Sequence, residues 1–358
     1  MIRAFLKTNV SGAASRRSRA AAAPALLALA LSACAGTVDA NGERQFPKAE
    51  VDAFAGRVAA QHGLDAAEVS RLVADARFQP RIVQLMDRPA EAKPWADYRA
   101  IFITPARIAG GVEFWGVHEE TLARARRQFG VSEEVIVAII GVETKYGTNT
   151  GSFRVLDALA TLAFGYPRRA EYFSRELENF VLLTRDNGLD PLALEGSYAG
   201  AIGIPQFMPS SYRAYAVDFD GDGRADLAGN PVDAIGSVAN YLARHGWAEG
   251  APVAVQAEVG DTALGTDSRP RRQVAELRAG GVTPLAQVDD ASKAALLKFE
   301  IGEGAEYWLG FQNFYVIKRY NNSNFYAMAV AQLASEIKGL REAVLKAKAE
   351  RAAAALPR

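Results

Sequence analysis

Glu143 is the residue of this 358-residue chain whose position most invites chemistry. It lies in the segment 130–147, GVSEEVIVAIIGVETKYG, where Val135, Ile136, Ile139 and Ile140 form one apolar stripe at helical spacing. Glu143 comes four residues after Ile139 and three after Ile140, so it continues that stripe. An acid on the core side of a helix is costly unless paired. Desolvation favours the protonated carboxyl, the form a general acid needs. A glutamate paired with an arginine or capped by hydroxyls, in a purely structural role, fits the same spacing. The Gly- and Thr-rich stretch Gly147 to Ser152 that follows favours a cleft.

A second cluster is acidic. Asp218, Asp220, Asp222 and Asp226 occupy positions 1, 3, 5 and 9 of an EF-hand-like calcium loop. Gly223 holds position 6, and Arg224 supplies a carbonyl at position 7. Alternating hard oxygen donors on a tight loop suit calcium and not zinc. Position 12 departs from the pattern, since Gly229 stands where a bidentate Glu is usual. A solvated acidic turn is the competing reading.

The elements that must position these residues read as mainly helical. Periodicity predicts helices near 47–62, 65–75, 117–129, 132–146, 168–186, 209–216, 233–245 and 325–352. Ser132 is the expected N-cap of the Glu143 helix and Gly147 its stop. Residues 251–320 differ: Val253 to Ala257 and Tyr315-Val316-Ile317 read as short strands among turns. The fold class is therefore mainly α with a small β-containing insertion (α+β). Residues 341–358 form a helix end and tail, fraying from Lys346.

The N-terminus carries a different signal. Residues 1–33 contain Arg3, Lys7, Arg16, Arg17 and Arg19 and no acid, and Ala20 to Ala33 is almost purely apolar. That run is too short to span a membrane and reads as the core of an export signal. It ends in Leu31-Ser32-Ala33-Cys34, which resembles the bacterial lipoprotein signal, with Cys34 as the lipid-bearing residue. An ordinary secretory signal with an incidental cysteine is the alternative. Ala35, where Asp would retain such a protein at the inner membrane, implies the outer membrane, facing the periplasm of a Gram-negative bacterium. Ser15-Arg16-Arg17 is too weak to assign twin-arginine export. Residues 34–45 are a small polar tether.

Composition sets outer bounds. Lys and Arg number 41 and Asp and Glu 41, with 49% hydrophobic residues and mean hydropathy near zero. Those values exclude a disordered chain and a multi-spanning membrane protein, and neutrality argues against nucleic acid as a partner. One cysteine and three scattered histidines argue against disulfides and zinc. Without the leader the balance is 36 basic against 41 acidic residues.

The heptad Gly141-Val142-Glu143-Thr144-Lys145-Tyr146-Gly147 resembles the catalytic helix end of the lytic murein transglycosylase B family. Further motifs match in family order: Leu156 to Leu162, Tyr166 to Phe173, Gly196 to Ala201, Gln206 to Tyr212, Asp233 to Tyr241, Asn313 to Tyr315 and Arg319 to Asn321. The match covers about residues 46–340. It implies a lysozyme-like helical core with an N-terminal helical subdomain and the β-containing insertion.

The resemblance also implies a reaction. The β-1,4 bond between N-acetylmuramic acid and N-acetylglucosamine in peptidoglycan is cleaved without water, leaving a 1,6-anhydromuramoyl end. Glu143 would serve as sole general acid and then general base. Ser197, Gln206, Phe207, Tyr241, Tyr320, Asn321 and Tyr326 would line the substrate groove, and Arg168 and Arg169 would face acidic stem peptides. Tyr98 joins the groove by spacing. Asp233 would close the acidic loop 218–233 as the last ligand of a structural calcium, with no organic cofactor. Enzymes of wall synthesis are the implied protein partners. A lysozyme-type hydrolase and a catalytically silent peptidoglycan-binding lipoprotein are the alternatives.

Overall fold

The computed structural model describes residues 45–87, 93–261 and 264–354. The leader, Cys34 and most of the tether lie outside the described residues. The helical part opens with α1 (Lys48–His62), α2 (Ala66–Ala74), α3 (Pro80–Met86), α4 (Trp95–Phe102), α5 (Pro105–Val117), α6 (Glu119–Phe129) and α7 (Glu133–Thr144). Then come β1 (Phe153–Arg154), α8 (Val155–Gly165), α9 (Ala170–Asp186), β2 (Glu195–Gly196), α10 (Pro209–Tyr215) and α11 (Pro231–Arg244). The insertion holds β3 (Ala254–Val259), β4 (Arg272–Gln273), α12 (Val274–Ala279), β5 (Val282–Pro284), β6 (Lys293–Ile301) and β7 (Gly304–Gly310). The described chain closes with α13 (Gln312–Tyr320) and α14 (Asn324–Ala354).

The helix carrying Glu143 is the centre of the molecule. All residues of α7 from Val135 to Thr144 are buried, so the expected single stripe is in fact a helix covered all round. Helices α5, α6, α11 and α14 pack against it. Ser132 occupies the N-cap with extended backbone, but its side chain makes no capping bond. The helix also stops before Gly147, because Lys145 (φ 51) and Tyr146 (φ 62) already take left-handed conformations.

The insertion is a five-stranded antiparallel sheet in the order β4-β6-β7-β3-β5. Strand β6 is buried on both faces. Ala294 and Leu296 join a small second core with Val274, Leu277, Leu309 and Phe311, while Ala295, Leu297 and Phe299 face the main core. That two-sided burial locks the sheet to the helices.

Tyr315-Val316-Ile317 is not a strand. These residues lie inside α13, where Asn313, Phe314 and Ile317 are buried at helical spacing. Tertiary packing against α14 and α11 overrides the local β-propensity of Tyr, Val and Ile. Six helices, α3, α4, α5, α8, α12 and α13, are not marked by periodicity, nor is the β6–β7 hairpin. Helix α14 is continuous through Ala354.

Candidate active site

Glu143 is 7% exposed, and its Oε1 accepts a hydrogen bond of 2.7 Å from the Tyr326 hydroxyl. The bond crosses from α7 to α14, two long helices in direct contact, which fixes the rotation of the carboxyl group. Burial, together with the nearby Glu143 charge, holds the Tyr326 and Tyr320 phenols well above their usual range. Tyr326 therefore stays a neutral donor at physiological pH.

From Tyr326 a chain of rings leads outward. Tyr320 stacks on Tyr326 at 6.4 Å with the planes 10° apart, and Phe207 and Tyr241 lie 5.7 Å and 4.9 Å from Tyr320. Two of these phenols are engaged with backbone: Tyr320 donates to the Pro205 carbonyl and Tyr241 to the Arg319 carbonyl, both at 2.5 Å. Their remaining contribution to a ligand is ring surface and a phenolic acceptor.

The segment Gly196 to Phe207 is tied to the end of α7. Thr144, next to Glu143, donates from Oγ1 to the Ile204 carbonyl (2.9 Å) and accepts from the Gly147 amide (3.0 Å). Gln206 sits at φ 52, and both its amide protons go to backbone, the Thr150 and Gly203 carbonyls at 2.9 Å each. Its side-chain carbonyl is left as the group able to meet a sugar N–H or hydroxyl. Ser197 Oγ accepts from the Ala199 (3.3 Å) and Ala201 (3.0 Å) amides, so it closes its own turn and retains one proton to donate.

Four expected positions differ. Tyr326 is fully buried and holds the acid, so it is not a groove-wall ring. Tyr98 is also fully buried, packed among Trp95, Phe102 and Phe325, and belongs to the aromatic layer behind Tyr326. Arg168 is exposed and lies 3.5 Å from Asp87, while the Arg169 guanidinium lies over the Tyr172 and Phe173 rings at 4.2 and 5.0 Å. Asn321 is buried at the C-terminus of α13, beside Tyr320.

Residues distant in sequence, not visible from helical spacing, shape the turn after Glu143. The Tyr146 ring fills a slot where Gly110, Gly111 and Gly141 lack side chains; a Cβ at Gly141 would sit 2.6 Å from its hydroxyl. That hydroxyl donates to the Arg107 carbonyl (2.6 Å), and Arg107 Nη1 donates to the Gly141 carbonyl (2.5 Å). Two successive left-handed non-glycine residues cost about 1–3 kcal/mol each, and this clamp holds them in place. The Gly110-Gly111 pair in an otherwise helical stretch was the available signal.

In the acidic loop, carboxylate oxygens of Asp218, Asp220 and Asp222 lie within 4.8 Å of one another. Asp226 and Asp233 stand outside that trio, contrary to the expected ligand set. Asp233 is fully buried and accepts from the Phe219 (2.7 Å), Asp220 (3.4 Å) and Asp226 (2.8 Å) amides. Asp226 accepts from the Ala228 and Gly229 amides, closing the turn that follows it. The loop touches the site directly: the Ile204 amide donates to the Leu227 carbonyl (2.8 Å).

Comparison with known proteins agrees with this geometry. The Transglycosylase SLT domain family matches residues 47–335. The chain is 47% identical over 294 residues to membrane-bound lytic murein transglycosylase B of Escherichia coli (strain K12), covering 79% of this chain and 81% of that one. It is similar to the crystal structure of soluble lytic transglycosylase SltB1 from Pseudomonas aeruginosa at TM-score 0.76 and 50% identity, over 82% of this chain and 99% of that one. Escherichia coli Slt35 in complex with calcium gives TM-score 0.76 and 44% identity, over 86% and 97% of the two chains. The chain belongs to the lytic murein transglycosylase B family, peptidoglycan-cleaving lyases with a lysozyme-like fold.

Proposed function

We propose that this enzyme cleaves the β-1,4 bond between N-acetylmuramic acid and N-acetylglucosamine without water, leaving a 1,6-anhydromuramoyl end, with Glu143 as the only acid–base group. Glu143 protonates the glycosidic oxygen as that bond breaks. The same carboxylate then takes the proton of the C6 hydroxyl as O6 bonds to C1. The Tyr326 hydroxyl keeps the carboxyl aimed through both steps.

One observation carries this reading. Four acids are buried among the described residues: Glu143, Asp157, Glu176 and Asp233. Asp157 is paired with Arg154, Glu176 accepts from the Ser210 amide and hydroxyl, and Asp233 holds its own loop. Glu143 is the one set among the groove aromatics, whereas a water-using glycosidase normally places two carboxyl groups across the scissile bond. The test is mass analysis of fragments released from purified sacculi. Muropeptides one water lighter than hydrolysis products support the proposal, and reducing ends overturn it in favour of a lysozyme-type hydrolase.

Groove contacts fall to Gln206 Oε1, the Ser197 hydroxyl, Asn321, and the rings of Phe207, Tyr241 and Tyr320. A structural calcium fits the acidic loop through the Asp218, Asp220 and Asp222 carboxylates and the Arg224 carbonyl. Calcium there would offset two of the three crowded negative charges and stiffen the strut that ends at Leu227 and Ile204. The lipoprotein-like leader, and the membrane-bound relative, support lipid anchoring through Cys34 at the outer membrane, with the catalytic fold on a short tether in the periplasm. Among the described residues, no helix is long and apolar enough to cross a membrane.

A further inference from the structure

Beside the turn that follows Glu143 lies a cleft of about 630 Å³ that the groove contacts do not use. One wall is α5, through Arg107, Gly110, Glu113, Phe114 and Val117; the other is Lys145, Tyr146 and Thr148. Its floor is apolar, with the Phe114 and Tyr146 rings stacked at 5.6 Å. Val117, at the rim, is 72% exposed, the largest exposure of any large hydrophobic residue described.

The charges on this cleft are unusual in being uncommitted. Glu113 and Lys145 are both exposed, and neither has an ion-pair partner among the described residues. Nearby surface charges do find partners: Lys338 with Glu134, and Arg341 with Glu119. The cleft therefore offers an uncommitted anion on one wall and an uncommitted cation on the other, while the Arg107 guanidinium is spent on the Gly141 carbonyl. A ligand that matches it carries a carboxylate, an amine and small apolar groups along a short chain.

The polymer that the proposed function names as substrate carries such a chain. Peptidoglycan stems bear free carboxylates, an amine and alanine methyl groups, and they hang from the muramic acid whose C1–O bond would be cut. A stem must therefore leave the groove within one sugar's breadth of Glu143, and Lys145 is two residues from it. The Arg168–Arg169 pair is less suited to that task. Arg168 faces Asp87, and Arg169 lies on two rings.

We infer that the α5–Lys145 cleft binds the stem peptide beside the scissile bond, with Lys145 meeting a stem carboxylate and Glu113 a stem amine. This rests on the proposed function and makes the enzyme selective for stem-bearing glycan. The experiment compares kcat/KM on glycan strands bearing stems with the same strands stripped by an amidase, for the full mature protein. Lys145→Asn keeps a residue tolerant of the left-handed backbone while removing the charge, and Glu113→Gln removes the other. Each should cut the ratio of stem-bearing to stripped rates about fivefold, and the double variant about tenfold or more. A ratio within about twofold of wild type in the double variant overturns the inference, including when both rates fall together. Wild-type enzyme that releases anhydro ends but shows no stem preference overturns the inference alone. Failure to release anhydro ends removes the proposed function with it.

Discussion

Around Glu143 the polar groups are few, buried and enclosed by rings, whereas in the loop 218–233 charges crowd the surface and lean on backbone amides. Glu143 accepts from the Tyr326 hydroxyl, which comes from another helix. Asp218 and Asp222 are exposed and accept only from amides of their own loop. The first region is preorganised by core packing. The second is preorganised only as far as turn hydrogen bonds allow, and its like charges call for a counter-ion. They meet where the Ile204 amide bonds the Leu227 carbonyl, so a surface loop can steady a buried site.

The largest effect short of removing the acid should come from Tyr326→Phe. It deletes the bond to Glu143 Oε1 and keeps the ring, so kcat on sacculi should fall about 10- to 100-fold with little change in KM. A rate near wild type would mean that packing alone aims the carboxyl. Gly203→Ala tests the joint between the regions. Gly203 has φ +72, and an added Cβ would lie 2.1 Å from the Leu227 carbonyl oxygen. About 3 kcal/mol or more of destabilisation is expected by denaturant titration, with reduced turnover as Gln206 shifts.

Calcium removal should act on the loop more than on the chemistry. Adding millimolar calcium to chelated protein should raise the melting temperature by several degrees, of order 1–3 kcal/mol, and Asp218→Asn should abolish that response. An unchanged melting temperature would identify the loop as a solvated acidic turn.

The smallest effect is a pH dependence on the buried side. Lys318, on α13 with Tyr320, is 7% exposed, and burial pushes its amine down to about 8, partly offset by Asp267. The unfolded chain, with the amine near its ordinary value of about 10.4, binds more protons than the folded one between those values. The cost of burying the charge is thus full below pH 8 and is relieved as pH rises through that window. Lys318→Met should gain about 1 kcal/mol at pH 7 and lose that advantage above about pH 10. A constant gain across pH would place the effect in packing.

The two regions also differed in how far they could be read from sequence. The acidic loop was visible as spacing, because its ligand pattern is local; the grouping of Asp218, Asp220 and Asp222 followed it. What spacing could not show was that Asp233 satisfies three amides from the interior of the loop. Glu143 was legible as an acid on an apolar helix, yet its partner lies 183 residues away on α14. Tyr98 and Tyr326 read as groove residues in the sequence because an aromatic residue looks alike there whether it faces a ligand or the core. Helices α5 and α8 were missed since glycines in one and nearly continuous burial in the other erase the amphipathic signal.

The central claim is that a single carboxyl, Glu143, performs both proton transfers. It is tested most directly by Glu143→Gln, which keeps the volume and can still accept from Tyr326 but cannot donate a carboxylic proton. Soluble muropeptide release from purified sacculi should drop by at least about a thousandfold, with an unchanged melting temperature. Release at the wild-type rate would contradict the account and send the search for the acid elsewhere in the groove.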